Sequence, residues 1–247
     1  MTEPPAESLL SRLDSERFGI RIGRASVSRS NTAASILAAS ESEALRMLII
    51  RCRTDDFASI HALEAAGARL MDTLVYYRRH LRKGDLPAEL KPNLIRPVEQ
   101  ADLAGIPALS RLAFQGYPGH YHADPALDQA KCDEGYAEWA AQLCAHRSAS
   151  QAVFVAEHPA VPLAGFIAAR LNTPTEAEAI LCGVHPAAEG RGIYWSFMVR
   201  VMEWCRNQGA VRIFTSTQIT NLTSQKLWMR LGFEPAESFH TFHLWFP

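Results

Sequence analysis

The stretch CGVHPAAEGRGIYWSF, which runs from Cys182 to Phe197, most constrains the fold of this chain. It places an apolar strand before a turn in which Gly190 and Gly192 flank Arg191, and the turn opens directly into a helical pattern. A helix N-terminus leaves its first backbone N–H groups unpaired and carries the positive end of the helix dipole, so an anion gains several hydrogen bonds there. Glycine lets the backbone approach such an anion closely. The stretch therefore predicts an α/β unit with a phosphate-binding turn, although a Gly-Arg-Gly sequence by itself is equally typical of a plain tight connection.

The residues after this turn predict the rest of the unit. Apolar side chains recur at helical spacing on one face until Gly209 stops the helix. They are Tyr194, Phe197, Met198, Val201, Met202 and Cys205. The segment from Val211 to Gln218 is rich in β-branched and aromatic residues and predicts a buried strand. Asn221, a short helix from Thr223 to Arg230 and the final strand FHTFHLWF complete the pattern.

This order of strand, glycine turn, helix, strand, Asn221 and short helix resembles the GNAT superfamily of acyl-CoA-dependent N-acyltransferases, from Leu94 to the C-terminus. The resemblance implies an α/β (α+β) fold, the GNAT fold, with a mixed central sheet flanked by helices. It also implies acetyl-CoA as co-substrate, with the pyrophosphate at the turn and the pantetheine arm along the preceding strand. The coenzyme-binding residues that it implies are Cys182, Val184, Glu189, Gly190, Arg191, Gly192, Ile193, Tyr194, Asn221 and Ser224.

A stretch rich in charge and proline, from Arg82 to Pro97, predicts a linker between two domains. Before it, a strand, a helix capped by Thr54, a stop at Gly67 and a second strand repeat the C-terminal order of elements. We therefore expect residues 1–90 to form an N-terminal degenerate GNAT-like domain and residues 91–247 to form the catalytic GNAT domain. Since the first half lacks a glycine phosphate turn, we expect it to bind no coenzyme of its own.

The two-part layout resembles the nucleotide-sugar N-acetyltransferases typified by dTDP-fucosamine acetyltransferase, notably in the segments SERFGIRIGRA, YHADP and STQITN. That resemblance implies the amine of a nucleotide-linked amino sugar as acceptor. The loop AFQGYPGHYHADPALD suits such a ligand, because aromatic rings can cover the apolar face of a sugar while polar groups bind its edges. The predicted acceptor-binding residues are Tyr117, His120, Tyr121, His122 and Asp124. The alternative is a loop that is stabilised by its own aromatic side chains.

The transfer itself requires a neutral amine to attack the thioester carbonyl, so an oxyanion must be stabilised and a proton must be removed. Backbone N–H groups of the strand from Cys182 to Val184 are the expected donors to the oxyanion. Glu176, Glu178 and His185 stand at the two ends of that strand and could take the proton of the amine. The alternative for each of these side chains is a plain solvated strand end.

The group that protonates the departing sulfur differs from the family pattern. Many members carry a tyrosine on the short last helix, and the equivalent position here is Trp228, whose indole N–H is not a general acid at neutral pH. Tyr194 and His243 are the predicted catalytic candidates, with His240 as a further histidine of the last strand. Because a thiol pKa is about 8.5, thiolate is a tolerable leaving group near neutrality, so loss of the acid need not abolish turnover. Glu189, where Gln or Arg is usual, and Tyr194, where a small residue is usual, are two further departures.

These departures keep two other functions open. One is a non-catalytic acyl-CoA-binding or regulatory module that keeps the fold. The other is an N-acetyltransferase for a different small amine or for a peptide N-terminus.

Composition and charge argue against several classes of partner. The 25 Lys and Arg residues against 26 Asp and Glu residues give a net charge of −1, so we expect neither nucleic acid nor an anionic membrane. No apolar run approaches the roughly 18–20 residues that span a bilayer, and the polar N-terminal sequence predicts no signal peptide. We expect a cytoplasmic protein whose partner is a small-molecule acceptor, with a homodimer as a possible assembly.

The cysteines and histidines predict neither disulfides nor a metal. The five cysteines are scattered and odd in number, which argues against a disulfide framework and a zinc knuckle. His120, His122 and Asp124 alternate in sequence and could imitate metal ligands if they lay on a strand. Pro118 and Pro125 flank them, however, and no second ligand cluster is evident.

Overall fold

The computed structural model describes residues 9–90, 95–145, 148–159 and 161–247, and within them it contains seven α-helices and nine β-strands. The helices are α1 (Arg12–Phe18), α2 (Ala33–Ser42), α3 (Phe57–Ala65), α4 (Ile106–Ala113), α5 (Gln129–Ala145), α6 (Ile193–Asn207) and α7 (Leu222–Arg230). The strands are β1 (Ile22–Ser26), β2 (Met47–Arg53), β3 (Arg69–His80), β4 (Ile95–Pro97), β5 (Gln151–His158), β6 (Val161–Thr173), β7 (Glu176–Val184), β8 (Arg212–Gln218) and β9 (Glu234–Trp245). Mixed helices and strands confirm the predicted α/β class.

The chain divides into two compact units that interleave along the sequence. Unit 1 contains residues 1–74, 118–131 and 237–247, and unit 2 contains residues 75–117 and 132–236. The predicted domains, 1–90 and 91–247, are contiguous and therefore differ from these units. The reason is long-range strand pairing, since β9 lies antiparallel to β2 from Met47↔Trp245 to Arg53↔Phe239 and so joins the C-terminal residues to unit 1. The degenerate GNAT-like character of the N-terminal half stays a prediction.

Unit 1 is built on β1, β2 and β9. β1 pairs in parallel with β2, which pairs with β9 on its other edge. Helix α3 begins after Asp56, whose carboxylate accepts a hydrogen bond from the Ser59 N–H at 3.1 Å. The predicted cap, Thr54, is wrong, because its hydroxyl instead lies 2.6 Å from the Ser238 hydroxyl. The core of this unit consists mainly of aliphatic side chains, including Ile36, Leu48, Ile50, Leu63, Phe242 and Leu244.

Unit 2 is a sheet with helices on both faces. Its strand order is β3-β8-β7-β6-β5-β4, in which β4 to β7 run antiparallel to their neighbours and β7 runs parallel to β8. Successive strand residues point to opposite faces. Accordingly, Ile167 of β6 belongs to the core that contains α6 and α7, while Phe166 belongs to the core that contains α4 and α5.

The predicted local elements around the glycine turn are confirmed. Helix α6 follows the turn, and Gly209 beyond its end has a φ of +90°. Helix α7 follows Asn221, whose side chain caps it by accepting from the Ser224 N–H at 3.1 Å. Within the described residues, no helix combines the length and the apolar character needed to cross a bilayer.

Candidate active site

Strands β7 and β8 of unit 2 diverge part-way along their length. They pair in parallel only from Glu176↔Arg212 to Ala179↔Thr215, although β7 continues to Val184 and β8 to Gln218. On its other edge β7 stays paired with β6 as far as Gly165↔Val184. The β8-facing edge of β7 therefore opens onto a gap over its last residues, where backbone groups can bind a ligand that lies along the strand.

A β-bulge at Ile180 re-aims the side chains that line this gap. Consecutive residues of β6 pair with residues two apart on β7, Ala169 with Ala179 and Ala168 with Leu181. Ile180 is therefore the extra residue of the bulge. Before the bulge Ala179 packs in the core beneath α6, and after it Cys182 packs there instead of Leu181. The bulge thus turns Cys182 towards the helix that follows the turn.

The turn after β7 places both of its glycines in a left-handed backbone conformation. A short 3₁₀ turn, Pro186–Ala188, leads to Gly190 with a φ of +70° and Gly192 with a φ of +77°. Both angles lie in the left-handed region that side chains disfavour. Gly192 is the N-cap of α6, and no side chain of the described residues caps that helix end. The first N–H groups of α6 are therefore available to an anion, while Glu189 and Arg191 are exposed.

Part of the predicted linker lies on this same helix end, which the sequence did not indicate. The Leu90 N–H donates to the Ser196 hydroxyl at 3.0 Å, and the Trp195 indole donates to the Ala88 carbonyl at 3.0 Å. Glu89 and Arg200 form an ion pair at 2.5 Å. Residues 88–90 therefore brace the beginning of α6.

Tyr194, in the first turn of α6, meets Trp228 of α7. The Trp228 indole N–H donates to the Tyr194 hydroxyl at 2.9 Å. Burial raises the pKa of the Tyr194 phenol, and Cys182 raises it further, while hydrogen bonds with Ser224 and Trp228 oppose the rise. The phenol therefore keeps its proton at neutral pH. The candidate acid Tyr194 thus lies directly against the residue that occupies the family's tyrosine position.

Asn221 and Tyr117 belong to a second polar network of unit 2. The Asn221 amide donates to the Thr217 hydroxyl at 3.0 Å and to the Tyr117 hydroxyl at 3.2 Å. The hydroxyls of Tyr117 and Thr217 are 2.9 Å apart. Because Thr217 stands on β8 beyond its last pairing with β7, this network lies where β8 has separated from β7.

The other predicted acceptor residues lie in unit 1, where Asp124 is at the centre of a buried cluster. Its carboxylate accepts from His243 Nδ1 at 2.7 Å and from Trp245 Nε1 at 2.9 Å, and the side chain of His243 also lies 2.9 Å from His120 through Nε2 and Nδ1. Burial favours the neutral acid, but the bonds from His243 and Trp245 outweigh it and hold the pKa of Asp124 below its ordinary value. Asp124 is therefore an ionised, fully engaged carboxylate.

Tyr121 is engaged in the same unit. Its hydroxyl donates to the buried Asp14 carboxylate at 2.5 Å and accepts from Arg24, which also pairs with Asp14. Burial raises the pKa of Tyr121 to about 12. The polar groups of Tyr121 and Asp124 are therefore bonded to side chains outside the loop, and the role of the loop in acceptor binding stays a prediction. His120 keeps 9% exposure and His122 is half-buried.

The three candidate bases near β7 have protein partners. Glu176 pairs with Arg212 at 2.9 Å and Glu178 with Arg170 at 3.0 Å, both at the paired end of the strand. At the other end, His185 Nδ1 accepts from the Ala187 N–H at 3.1 Å. The last strand's His240 is bonded to the Thr73 hydroxyl at 2.9 Å.

A family model described as acetyltransferase (GNAT) family matches residues 109–233, which is just over half of the chain. The chain belongs to the GNAT family. The matched segment contains the diverging strands, the glycine turn and both helices α6 and α7 of this GNAT protein.

Among curated proteins, this GNAT chain is 27% identical to the spore coat polysaccharide biosynthesis protein SpsD of Bacillus subtilis (strain 168) over 149 residues, or 60% of the chain. The match spans half of the length of that relative. Among solved structures, a GCN5-related N-acetyltransferase from Sphaerobacter thermophilus has a TM-score of 0.58 at 13% identity, with 86% of this chain and 65% of that chain covered. A tandem GNAT protein from the clavulanic acid biosynthesis pathway has a TM-score of 0.58 at 16% identity, with 86% and 68% covered. At such identities these structures show the fold alone.

Proposed function

We propose that this GNAT protein transfers the acetyl group of acetyl-CoA to the amine of a nucleotide-linked amino sugar in the cytoplasm. The observation that carries the proposal is the divergence of β7 from β8 immediately before a turn with two glycines of positive φ. An open strand edge suits an extended pantetheine arm, and an uncapped helix N-terminus suits a pyrophosphate.

The residues of unit 2 fit acetyl-CoA in two places. Backbone N–H groups from Gly190 to Ile193 would bind the pyrophosphate, since the positive φ at both glycines gathers them at the start of α6. The freed edge of β7 at Cys182 and Val184 would hold the pantetheine arm and the thioester oxygen. The bound coenzyme supplies an activated acetyl thioester, and the protein supplies position, hydrogen bonds and proton transfer.

The sugar acceptor is supported by two observations of different kinds. The relative SpsD carries the name of a polysaccharide biosynthesis protein. The loop from Tyr117 to Asp124 is an aromatic and histidine-rich segment, in which His122 is half-buried and His120 is buried against His243. Tyr121 and Asp124 would support this loop from within through their buried bonds.

The experiment is titration calorimetry with acetyl-CoA, followed by a thiol-release assay with a panel of amines. The panel contains dTDP-fucosamine, another nucleotide-linked amino hexose, glucosamine, spermidine and a peptide with a free N-terminus. We expect acetyl-CoA to bind and the nucleotide-linked amino sugars to give the highest kcat/KM. Preferred turnover of spermidine or the peptide would refute the sugar acceptor.

A non-catalytic acyl-CoA-binding module is the second candidate, favoured by Trp228 at the family's tyrosine position. It predicts acetyl-CoA binding without release of thiol by any amine of the panel.

A further inference from the structure

The Tyr194 phenol lies next to Trp228, the residue at the position on α7 where many family members carry a tyrosine. Tyr194 belongs to α6 and Trp228 to α7, and the indole N–H of Trp228 points at the Tyr194 hydroxyl at 2.9 Å. We propose that Tyr194 is the general acid that protonates the departing sulfur of coenzyme A, and that Trp228 is a positioning residue that aims it. The inference rests on the proposed function and names one catalytic residue within it.

The direction of the hydrogen bond leaves the phenol proton available. An indole nitrogen can only donate, so Trp228 occupies a lone pair of the Tyr194 oxygen and does not use the phenol proton, while Ser224 is the second hydrogen-bond partner of the same hydroxyl. Donation from the indole also stabilises negative charge on that oxygen. This is the arrangement that a proton donor requires, because the oxygen becomes a phenolate at the moment of transfer.

Trp228 is held rigidly enough to fix that oxygen. Its side chain is 1% exposed, and its ring packs against the Tyr77 ring with centroids 5.4 Å apart. Tyr77 is itself held by a hydrogen bond from its hydroxyl to the side-chain amide oxygen of Gln225 at 3.2 Å. A donor locked by packing positions its partner more precisely than an exposed side chain does.

Tyr194 also lies beside the part of β7 that the proposed function assigns to the thioester. The half-buried Tyr194 packs against the same core as Cys182 and Val184, the residues beyond the bulge. Cys182 is not a competing nucleophile, because burial raises the pKa of its thiol and keeps it protonated at neutral pH. Tyr194 carries its proton throughout the neutral range, since even an unperturbed phenol has a pKa of about 10.

The proposed step balances as follows. The amine nitrogen forms the C–N bond to the acetyl carbon, and the C–S bond breaks with its electron pair on sulfur. The phenol of Tyr194 gives its proton to that sulfur and becomes a phenolate. The proton that the new ammonium nitrogen loses to solvent restores the phenol, so acetylated amine and free thiol are the net products.

The test measures kcat and the acetyl-CoA Kd with dTDP-fucosamine as the amine. Tyr194→Phe removes one oxygen, and we expect kcat to fall by about a hundredfold or more, the range of a general acid, with the Kd nearly unchanged. Tyr76→Phe is the control, since it removes a hydroxyl from a half-buried tyrosine of β3 that the proposed site does not use, and it should leave kcat close to that of the wild type.

A relocation experiment separates acid catalysis from structural support. In the Tyr194→Phe background, Trp228→Tyr returns a phenol to the family's position and should recover part of the lost rate, whereas Trp228→Phe should recover none. Wild-type kcat in Tyr194→Phe, or equal rates of the two double variants, would overturn the assignment of the acid alone. A wild-type protein that binds acetyl-CoA but acetylates no amine would overturn the proposed function and the acid with it.

Discussion

Gly192→Val tests the coenzyme turn most directly. Gly192 has a φ of +77°, and an added Cβ would lie 3.1 Å from Leu90 Cδ1 and 3.3 Å from Leu90 Cβ. The left-handed backbone costs a residue with a side chain about 1–2 kcal/mol, so valine must either bear this strain or shift the turn. A shifted turn that loses two hydrogen bonds to phosphate, at about 1.5–3 kcal/mol each, loses about 3–6 kcal/mol of binding free energy. That corresponds to an acetyl-CoA Kd weaker by roughly a hundredfold to ten-thousandfold.

The control for this variant is Gly209→Val, at the other end of the same helix. Gly209 has a φ of +90° and no atom within 4 Å of an added Cβ, so it carries the backbone strain without any contact to the turn. Urea denaturation should show a similar loss of unfolding free energy for both variants. Calorimetry should show weakened acetyl-CoA binding for Gly192→Val alone. An unchanged Kd in Gly192→Val would refute the assignment of this turn to the coenzyme.

Three further predictions concern Trp228, His122 and His120. Trp228→Phe should lower kcat by less than about a hundredfold in steady-state assays, because the indole orients the acid without delivering the proton, and a larger loss would contradict that role. His122→Ala should raise the KM for the amine while the acetyl-CoA Kd stays constant, and the reverse pattern would move the loop to the donor side. Burial, and then the charges of His243 and nearby arginines, hold the pKa of His120 well below its ordinary value of 6.5. Below pH 6.5 the unfolded chain therefore binds a proton that the folded chain excludes. The free energy of unfolding then decreases as the pH is lowered, by up to about 1.4 kcal/mol per pH unit. His120→Asn should flatten this dependence in urea denaturation between about pH 7 and 5, and an unaltered slope would show that His120 is not its source.

Local patterns predicted the elements that surround the coenzyme turn. Helical spacing after Gly192 predicted α6, β-branched residues predicted β8, and Asn221 marked the start of α7. Each of these elements is determined by residues that are close together in sequence, so a pattern along the chain can predict it.

Contacts between distant residues were not predictable in this way. The bond between Asp124 and His243 joins residues 119 positions apart, and the bond between Arg24 and Tyr121 joins residues 97 positions apart. Periodicity and spacing along the chain do not predict such contacts, because only tertiary packing brings the two residues together. The sequence therefore predicted His243 as a catalytic candidate and Asp124 as an acceptor-binding residue without indicating that they bind each other. It likewise gave no sign that residues 88–90 lie on α6.

The pairing of β2 with β9 has a consequence for how the chain folds during synthesis. Met47 and Trp245 are neighbours in unit 1 but roughly two hundred residues apart in sequence. In a growing chain the edge of β2 that pairs with β9 therefore stays open until the residues of β9 have been made. Units of consecutive residues can fold as they emerge, but unit 1 must wait for β9. Closing so large a loop also makes this pairing intrinsically slow, so β9 docking is expected to be the late step of folding.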